Sequence, residues 1–151
     1  MISRRLSFVV LVLVAAAVPA FAQQPQGAAG RIKLASGSAV IVRAGASLPA
    51  QPGQVVYTSD LLKTGPDGRL GVTLKDDTRI ALGPASEVRV DRFVYAPEQG
   101  RLGLALNVLR GIMTYVSGRI AKLAPDSVRL ETPSAVVGVR GTTLAIHASP
   151  E

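Results

Sequence analysis

Short alternations of apolar and polar residues, separated by turns, dominate the middle of this 151-residue chain. Every second residue is apolar near residues 70–74, 80–82, 88–90 and 102–106. A period of two puts alternate side chains on opposite faces of a strand, and no 3.6-residue helical stripe fits these segments. The chain is therefore predicted to be an all-β domain of ten or eleven short strands. Turn spacing leaves a sandwich, a jelly roll or a short solenoid open.

Three further segments qualify this pattern. The strand over residues 102–116 is long, and a bend is expected at Gly111. Residues 45–53 contain Pro49 and Pro52 and are interpreted as a loop. Residues 119–124 are ambiguous and are interpreted as one helical turn.

The N-terminus has the features of a secretory signal peptide. A basic head with Arg4 and Arg5 precedes an apolar run from Leu6 to Val18, and Ala20-Phe21-Ala22 supplies a small-residue cleavage site. The alternative is an uncleaved anchor, but a 13-residue helix spans only about 20 Å of a roughly 30 Å hydrocarbon core. A twin-arginine signal is a second alternative. We predict cleavage after Ala22, export to the periplasm or beyond, and no stable membrane span afterwards.

The exported chain is predicted to have a flexible leader at residues 23–30 and one β domain at residues 31–147. Removing Arg4 and Arg5 from the 17 basic residues leaves 15, against 10 acidic ones. Outside the cytoplasm, such a surface would meet anionic lipid, lipopolysaccharide, wall polymer or acidic proteins, although simple solubility also explains it. The absence of cysteine excludes disulfides, thiol catalysis and thiolate zinc sites.

Residues suited to catalysis or metal binding are scarce. His147 is the single histidine, so neither a catalytic triad nor a histidine metal site is expected. Asp76 and Asp77 form an acidic pair, which we interpret as a strand-connecting turn with solvated carboxylates rather than a calcium loop. The other acidic residues show no acid–base spacing. We therefore expect no catalytic, cofactor-binding or metal-binding residues and no enzyme activity.

Nucleotide and nucleic-acid binding are also not expected. The chain has no phosphate-binding Gly-x-x-x-x-Gly-Lys-Ser/Thr loop. Gly138-Val139-Arg140-Gly141 superficially resembles a phosphate nest, but no helix start follows it. The few aromatic residues are too widely spaced to form a base-stacking platform.

The segment from Leu130 to Thr143 is predicted to form a strand–bend–strand corner near the edge of the sheet. Pro133 fixes one φ angle, and Gly138 and Gly141 allow positive φ or a close backbone approach. Arg140 has two interpretations. It either donates to backbone carbonyls or to Glu131 or Glu87, which the sequence favours, or projects toward a partner.

Several segments resemble the FecR domain family. Thr132, Pro133, Ala135, Val139, Arg140, Gly141 and Thr142 stand at the positions of its TP-x-A-x-x-x-V-R-G-T hallmark. Residues 61–70 are similar to its threshold-TG turn, and residues 72–87 to its hairpin with Pro84 and Ser86. Residues 106–113 resemble the strand before the TP turn, so the resemblance covers about Gly30 to His147.

The resemblance implies a compact periplasmic β module, solenoid-like or sandwich-like, that in the namesake regulators passes a receptor's state to a sigma factor. With only five residues before the apolar run, no sigma-binding region or transmembrane relay is expected here. We expect a stand-alone, non-enzymatic envelope module with a protein partner. Its motif residues are Thr132, Pro133, Gly138, Val139, Arg140, Gly141 and Thr142. The alternative is a basic module for anionic wall polymer or lipopolysaccharide. An exposed edge would also allow homo-oligomers by strand addition.

Overall fold

The structure is a computed structural model that describes residues 27–149. The first strands within this range are β1 (Ala28–Ser36), β2 (Ala39–Arg43), β3 (Ala46–Pro49), β4 (Val55–Tyr57), β5 (Leu61–Thr64), β6 (Arg69–Leu74), β7 (Arg79–Leu82) and β8 (Glu87–Ala96). They are followed by β9 (Arg101–Val116), helix α1 (Arg119–Leu123), β10 (Val128–Thr132), β11 (Ala135–Gly138) and β12 (Thr143–Ala148). The all-β prediction is confirmed. The predicted signal peptide lies outside the described residues.

The strands form one sheet that curls into a half-barrel. Its hydrogen-bonded path runs β3-β2-β5-β8-β9-β7-β6-β1-β4, while β10 and β12 also pair with β9, and β11 pairs with β10. Within the described chain the pairing of β9 with β10 is parallel and the other pairings are antiparallel. Strand spacing alone does not decide how the strands are arranged, and the structure shows that they form a curled, mainly antiparallel sheet.

The apolar faces of the strands enclose one core. The alternation near residues 70–74 buries Leu70, Val72 and Leu74, whereas Gly71 and Thr73 face away. Burial of such side chains is the main stabilising term in a domain of this size. Both halves of the curled sheet contribute to the same cluster, including Ile32, Ile41, Val56, Leu62, Ile80, Val88, Leu104, Leu106, Met113, Tyr115, Ile120 and Leu130.

Strand β9 belongs to both halves of the sheet. Its residues 101–110 pair with β8, and its residues 113–116 pair with β7. Leu106 and Val108 point into the core before Gly111, but Met113 and Tyr115 do so after it. The buried parity changes because a bulge inserts one residue between the pairs at positions 108 and 110, and Gly111 then adopts φ 84°. The predicted bend at Gly111 is confirmed.

Two buried hydroxyls hold this bend. Ser86 Oγ accepts a hydrogen bond from Ile112 N at 2.9 Å and lies 3.2 Å from Ile112 O. Thr64 Oγ1 accepts from Ser86 N at 3.0 Å and donates to Gly83 O at 2.6 Å. Both residues lie in segments that carry the family resemblance, so those segments meet at the place where the sheet turns.

Two predicted boundaries and the predicted number of strands need correction. The sheet begins at Ala28, so residues 28–30 of the predicted leader belong to β1, and Ala29 is fully buried. The described chain has twelve strands, more than the ten or eleven expected, partly because β3 lies inside the predicted loop at residues 45–53. As an edge strand, β3 tolerates Pro49, which cannot donate to a neighbour. The helical turn predicted near residue 119 is confirmed as α1.

Candidate functional site

The hallmark segment begins with a tight hairpin between β10 and β11. Thr132 pairs with Ala135, and Pro133 and Ser134 form the two-residue turn. The Thr132 hydroxyl accepts a hydrogen bond from Ala135 N at 3.1 Å, which closes the turn. Pro133 therefore stands in a turn, within the segment predicted to form the corner, and this turn closes a hairpin in which β11 is the outer strand.

The chain then bends from β11 to β12, as the strand–bend–strand prediction requires. Val139 is buried at 3% exposure, while Arg140 next to it is exposed. Gly141 adopts φ 142°, a conformation that favours glycine. Gly138 has neither positive φ nor a neighbour within 4 Å of a built Cβ, so the expected need for glycine there is wrong.

Ser117 fixes the corner from the opposite strand. Its hydroxyl donates to Gly141 O at 2.6 Å, and its amide donates to Thr142 O at 2.8 Å. Ser117 directly follows β9, so the corner is attached to the strand that both halves of the sheet share. The sequence does not identify Ser117, because nothing local marks a serine that pairs with a segment 24 residues away.

A buried carboxylate holds the segment that follows Ser117. Asp76 is fully buried, so the interpretation of a solvated carboxylate is wrong for it. Asp76 Oδ2 accepts from Thr78 Oγ1 at 2.8 Å and from Ile120 N at 3.2 Å, and Asp76 O accepts from Arg119 N at 2.7 Å. These bonds satisfy the first free amides of α1. Asp77 is exposed, with φ 68°, and lies 3.2 Å from Arg119 Nε.

An open cleft of about 370 Å³ lies beside the corner. Val137 and Val139 line it from the hallmark segment, Leu144 from β12, and Arg129 from β10. Arg140 stands at the same cleft, and Val136 contributes an apolar side chain that is 65% exposed. The cleft therefore combines apolar walls with Arg129 and Arg140, and Asp126 also lines it.

The contacts that the sequence favours for Arg140 are absent among residues 27–149. Glu131 lies 3.7 Å from Arg129, and Glu87 lies 3.0 Å from Lys63 and 3.5 Å from Arg110. In this range Arg140 forms no side-chain hydrogen bond or ion pair. The hallmark thus anchors itself through Val139 and the backbone at Gly141 and Thr142, and it presents Arg140 outward.

A second feature that the sequence does not reveal is the ion pair between Arg43 and the buried Asp60. Asp60 is 1% exposed, and its carboxylate accepts from Arg43 Nε at 2.8 Å, Arg43 Nη2 at 2.7 Å and Tyr57 N at 2.8 Å. The bond to Asp60 raises the pKa of the Arg43 guanidinium, which also lies 4.6 Å from the Tyr57 ring centroid. Bidentate pairing fixes β2 against the β4–β5 connection, so we assign this ion pair a role in stabilising the fold.

Other features suited to chemistry are sparse within residues 27–149. This range contains no cluster of three His, Asp or Glu residues able to hold a metal ion. His147 is exposed on β12, opposite Ile112. Tyr115 is buried, and burial raises the pKa of its phenol; its hydroxyl has no hydrogen-bond partner in the described range. No helix in the same range is long and apolar enough to cross a bilayer.

Comparison with known proteins gives one match. A family model described as "FecR protein" matches residues 60–151, which is more than half of the chain. The match starts at the buried Asp60 and includes the bend at Gly111 and the whole hallmark segment. No curated protein and no solved structure matches the chain.

Proposed function

Because the chain belongs to the FecR family, whose members are regulatory and signalling proteins of the cell envelope, we propose that it is an exported, non-enzymatic module that acts by binding a protein partner. The observation that carries this proposal is the hallmark corner. Its buried and hydrogen-bonded parts fix the backbone, while Arg140 stands exposed beside an open, partly apolar cleft.

The geometry of the corner supports binding rather than catalysis. Arg140 carries a planar, always charged guanidinium that suits a carboxylate on a partner. Val136, Val137 and Leu144 supply apolar contact area around it. Interfaces typically combine an apolar centre with a few such polar anchors.

We expect Arg140→Ala to abolish capture of the envelope partner while leaving the melting temperature unchanged. The side chain is exposed and makes no hydrogen bond or ion pair within residues 27–149, so its loss removes no internal polar interaction. The measurement is photo-crosslinking in living cells from a probe at Val136, with and without Arg140→Ala, and thermal melting of both proteins. A probe at Ser47 on the distant β3 edge serves as the control.

Two results would contradict the role of Arg140. A crosslink from Val136 that persists in Arg140→Ala would show that the arginine does not bind the partner. A large drop in melting temperature would show that the arginine supports the fold. Arg140→Lys adds a test of geometry, because lysine keeps the charge but cannot bind a carboxylate in bidentate fashion.

A second candidate function rests on the outer face of β1, β6 and β7. Lys33 and Arg79 line a shallow depression of about 220 Å³ over Gly71 and Ala81. Lys33 also lines a neighbouring groove with Arg31 and Lys75, where Asp77 is the acidic residue. Cations on both sides of small residues on this outer sheet face favour contact with an anionic polymer or lipopolysaccharide.

For this second function we expect salt-sensitive sedimentation with lipopolysaccharide vesicles or purified wall. Lys33→Gln/Arg79→Gln should weaken binding about tenfold or more at low salt, because each cation near an anionic surface contributes on the order of 1 kcal/mol. Arg101→Gln/Lys122→Gln removes the same charge elsewhere and should have a much smaller effect. Equal effects of the two double variants would indicate net charge alone, and no sedimentation would exclude the function.

A further inference from the structure

The described sheet ends in four edge strands, and three of them carry features that block further pairing. β4 has three residues, β3 has four and ends at Pro49, and β11 has four and ends at Gly138. Short strands and proline are common means by which proteins protect sheet edges. β12 differs, because its six residues include no proline, glycine, lysine, arginine or carboxylate.

The backbone of β12 is also regular enough to template a further strand. It pairs with β9 over six consecutive residue pairs without a bulge. Ser117 N donates to Thr142 O, which places Thr142 on the side that faces β9. In an antiparallel ladder the direction of the backbone groups alternates, so N–H and C=O of Thr143, Ala145 and His147 point away from β9.

We propose that β12 pairs with β12 of a second copy of this chain, antiparallel, about a two-fold axis at Ala145. Each copy then offers the same three outward residues, and about six main-chain hydrogen bonds form across the axis. Thr143 lies opposite His147 of the second copy, and Ala145 lies opposite its counterpart. This contact does not depend on the partner proposed for Arg140, and Leu144 borders both sites.

The side chains of β12 make this self-pairing favourable. No pair of like charges meets across the axis, since the strand has no lysine, arginine or carboxylate. On the inner face, Leu144 contacts Ile146 of the second copy. This contact extends the apolar core to which Ile146 and Ala148 already contribute. A second copy is favoured as the occupant because the same uncharged edge complements itself in this register.

The test uses charge substitution at the axis in the full chain, purified after expression with its own N-terminal segment. We expect the wild-type protein to form a dimer in analytical ultracentrifugation. Ala145→Lys and Ala145→Glu should each raise the dimer dissociation constant about tenfold or more, because like charges then face each other. A one-to-one mixture of the two variants should form a heterodimer. Ser47→Lys and Ser47→Glu on the β3 edge are matched controls and should leave dimerisation unchanged.

The mixture separates the proposal from misfolding, since a misfolded variant would not recover by mixing. A second readout uses the absence of cysteine: Ala145→Cys should crosslink to itself with a short bismaleimide, and Ser47→Cys should not. A monomeric wild type, unchanged dimers of Ala145→Lys and Ala145→Glu, or a monomer that instead binds an unrelated extended peptide along β12 would each overturn the proposal.

Discussion

Gly111→Ala is expected to destabilise the domain by about 3 kcal/mol or more, the largest effect we predict for a single added methyl group. Gly111 has φ 84°, which an alanine adopts only with strain. The added Cβ would also contact Ser86 Oγ and lie 2.5 Å from Ser86 Cα and 2.6 Å from Ala85 O. Backbone atoms cannot move aside without disturbing the bend of β9. Chemical denaturation followed by circular dichroism measures the loss.

Gly138→Ala is the matched control for this change. Gly138 has no positive φ, and a built Cβ there has no neighbour within 4 Å. We expect its free energy of unfolding to stay within about 0.5 kcal/mol of wild type. Similar losses for both variants would show that the bend at Gly111 does not limit the stability of the sheet.

The second large effect is expected for Asp60→Ala, at about 3 kcal/mol. The substitution leaves Tyr57 N without its acceptor and removes both hydrogen bonds between Asp60 and the Arg43 guanidinium, which keeps only its bond to Val55 O. The Arg43 side chain is 29% exposed, so water recovers part of its solvation and the loss falls at the lower end for a broken buried pair. The measurement is again the free energy of unfolding.

A double-mutant cycle with Arg43→Ala isolates the pair from general effects of truncation. We expect the double variant to be more stable than the sum of the single losses predicts, by about 1 kcal/mol or more. Asp67→Ala is the control, because Asp67 is exposed and accepts one long bond of 3.3 Å from Ser38 N. Additive losses at positions 43 and 60 would mean that the ion pair contributes little.

The sequence predicts those parts of the fold that depend on local patterns. Period-two alternation identifies β6, β7 and the first half of β9, because burial on one face selects those residues directly. Gly111 predicts the bend in β9 and Thr132-Pro133 predicts a change of chain direction, since each constrains a single backbone position. The corner of the candidate site follows for the same reason.

Contacts between distant segments are not predictable in this way. Asp60 and Arg43 are 17 residues apart, and the sequence around each residue does not distinguish it from an exposed, solvated charge. The Asp76-Asp77 pair predicts solvated carboxylates because its sequence is typical of an exposed turn. The start of α1, 44 residues later, nevertheless covers Asp76. The change of buried parity in β9 depends on the bulge opposite β8, so alternation alone does not reveal it.

Strand β9 is shared by both halves of the sheet, and this sharing affects how the domain unfolds. Both halves of the sheet lose pairing if β9 leaves, because the same strand pairs with β8 and β10 before Gly111 and mainly with β7 and β12 after it. We therefore expect the two halves to unfold together, as one cooperative unit. Any partner that binds only the folded form and holds the hallmark corner or the β12 edge thereby stabilises the whole domain, including strands far from the contact.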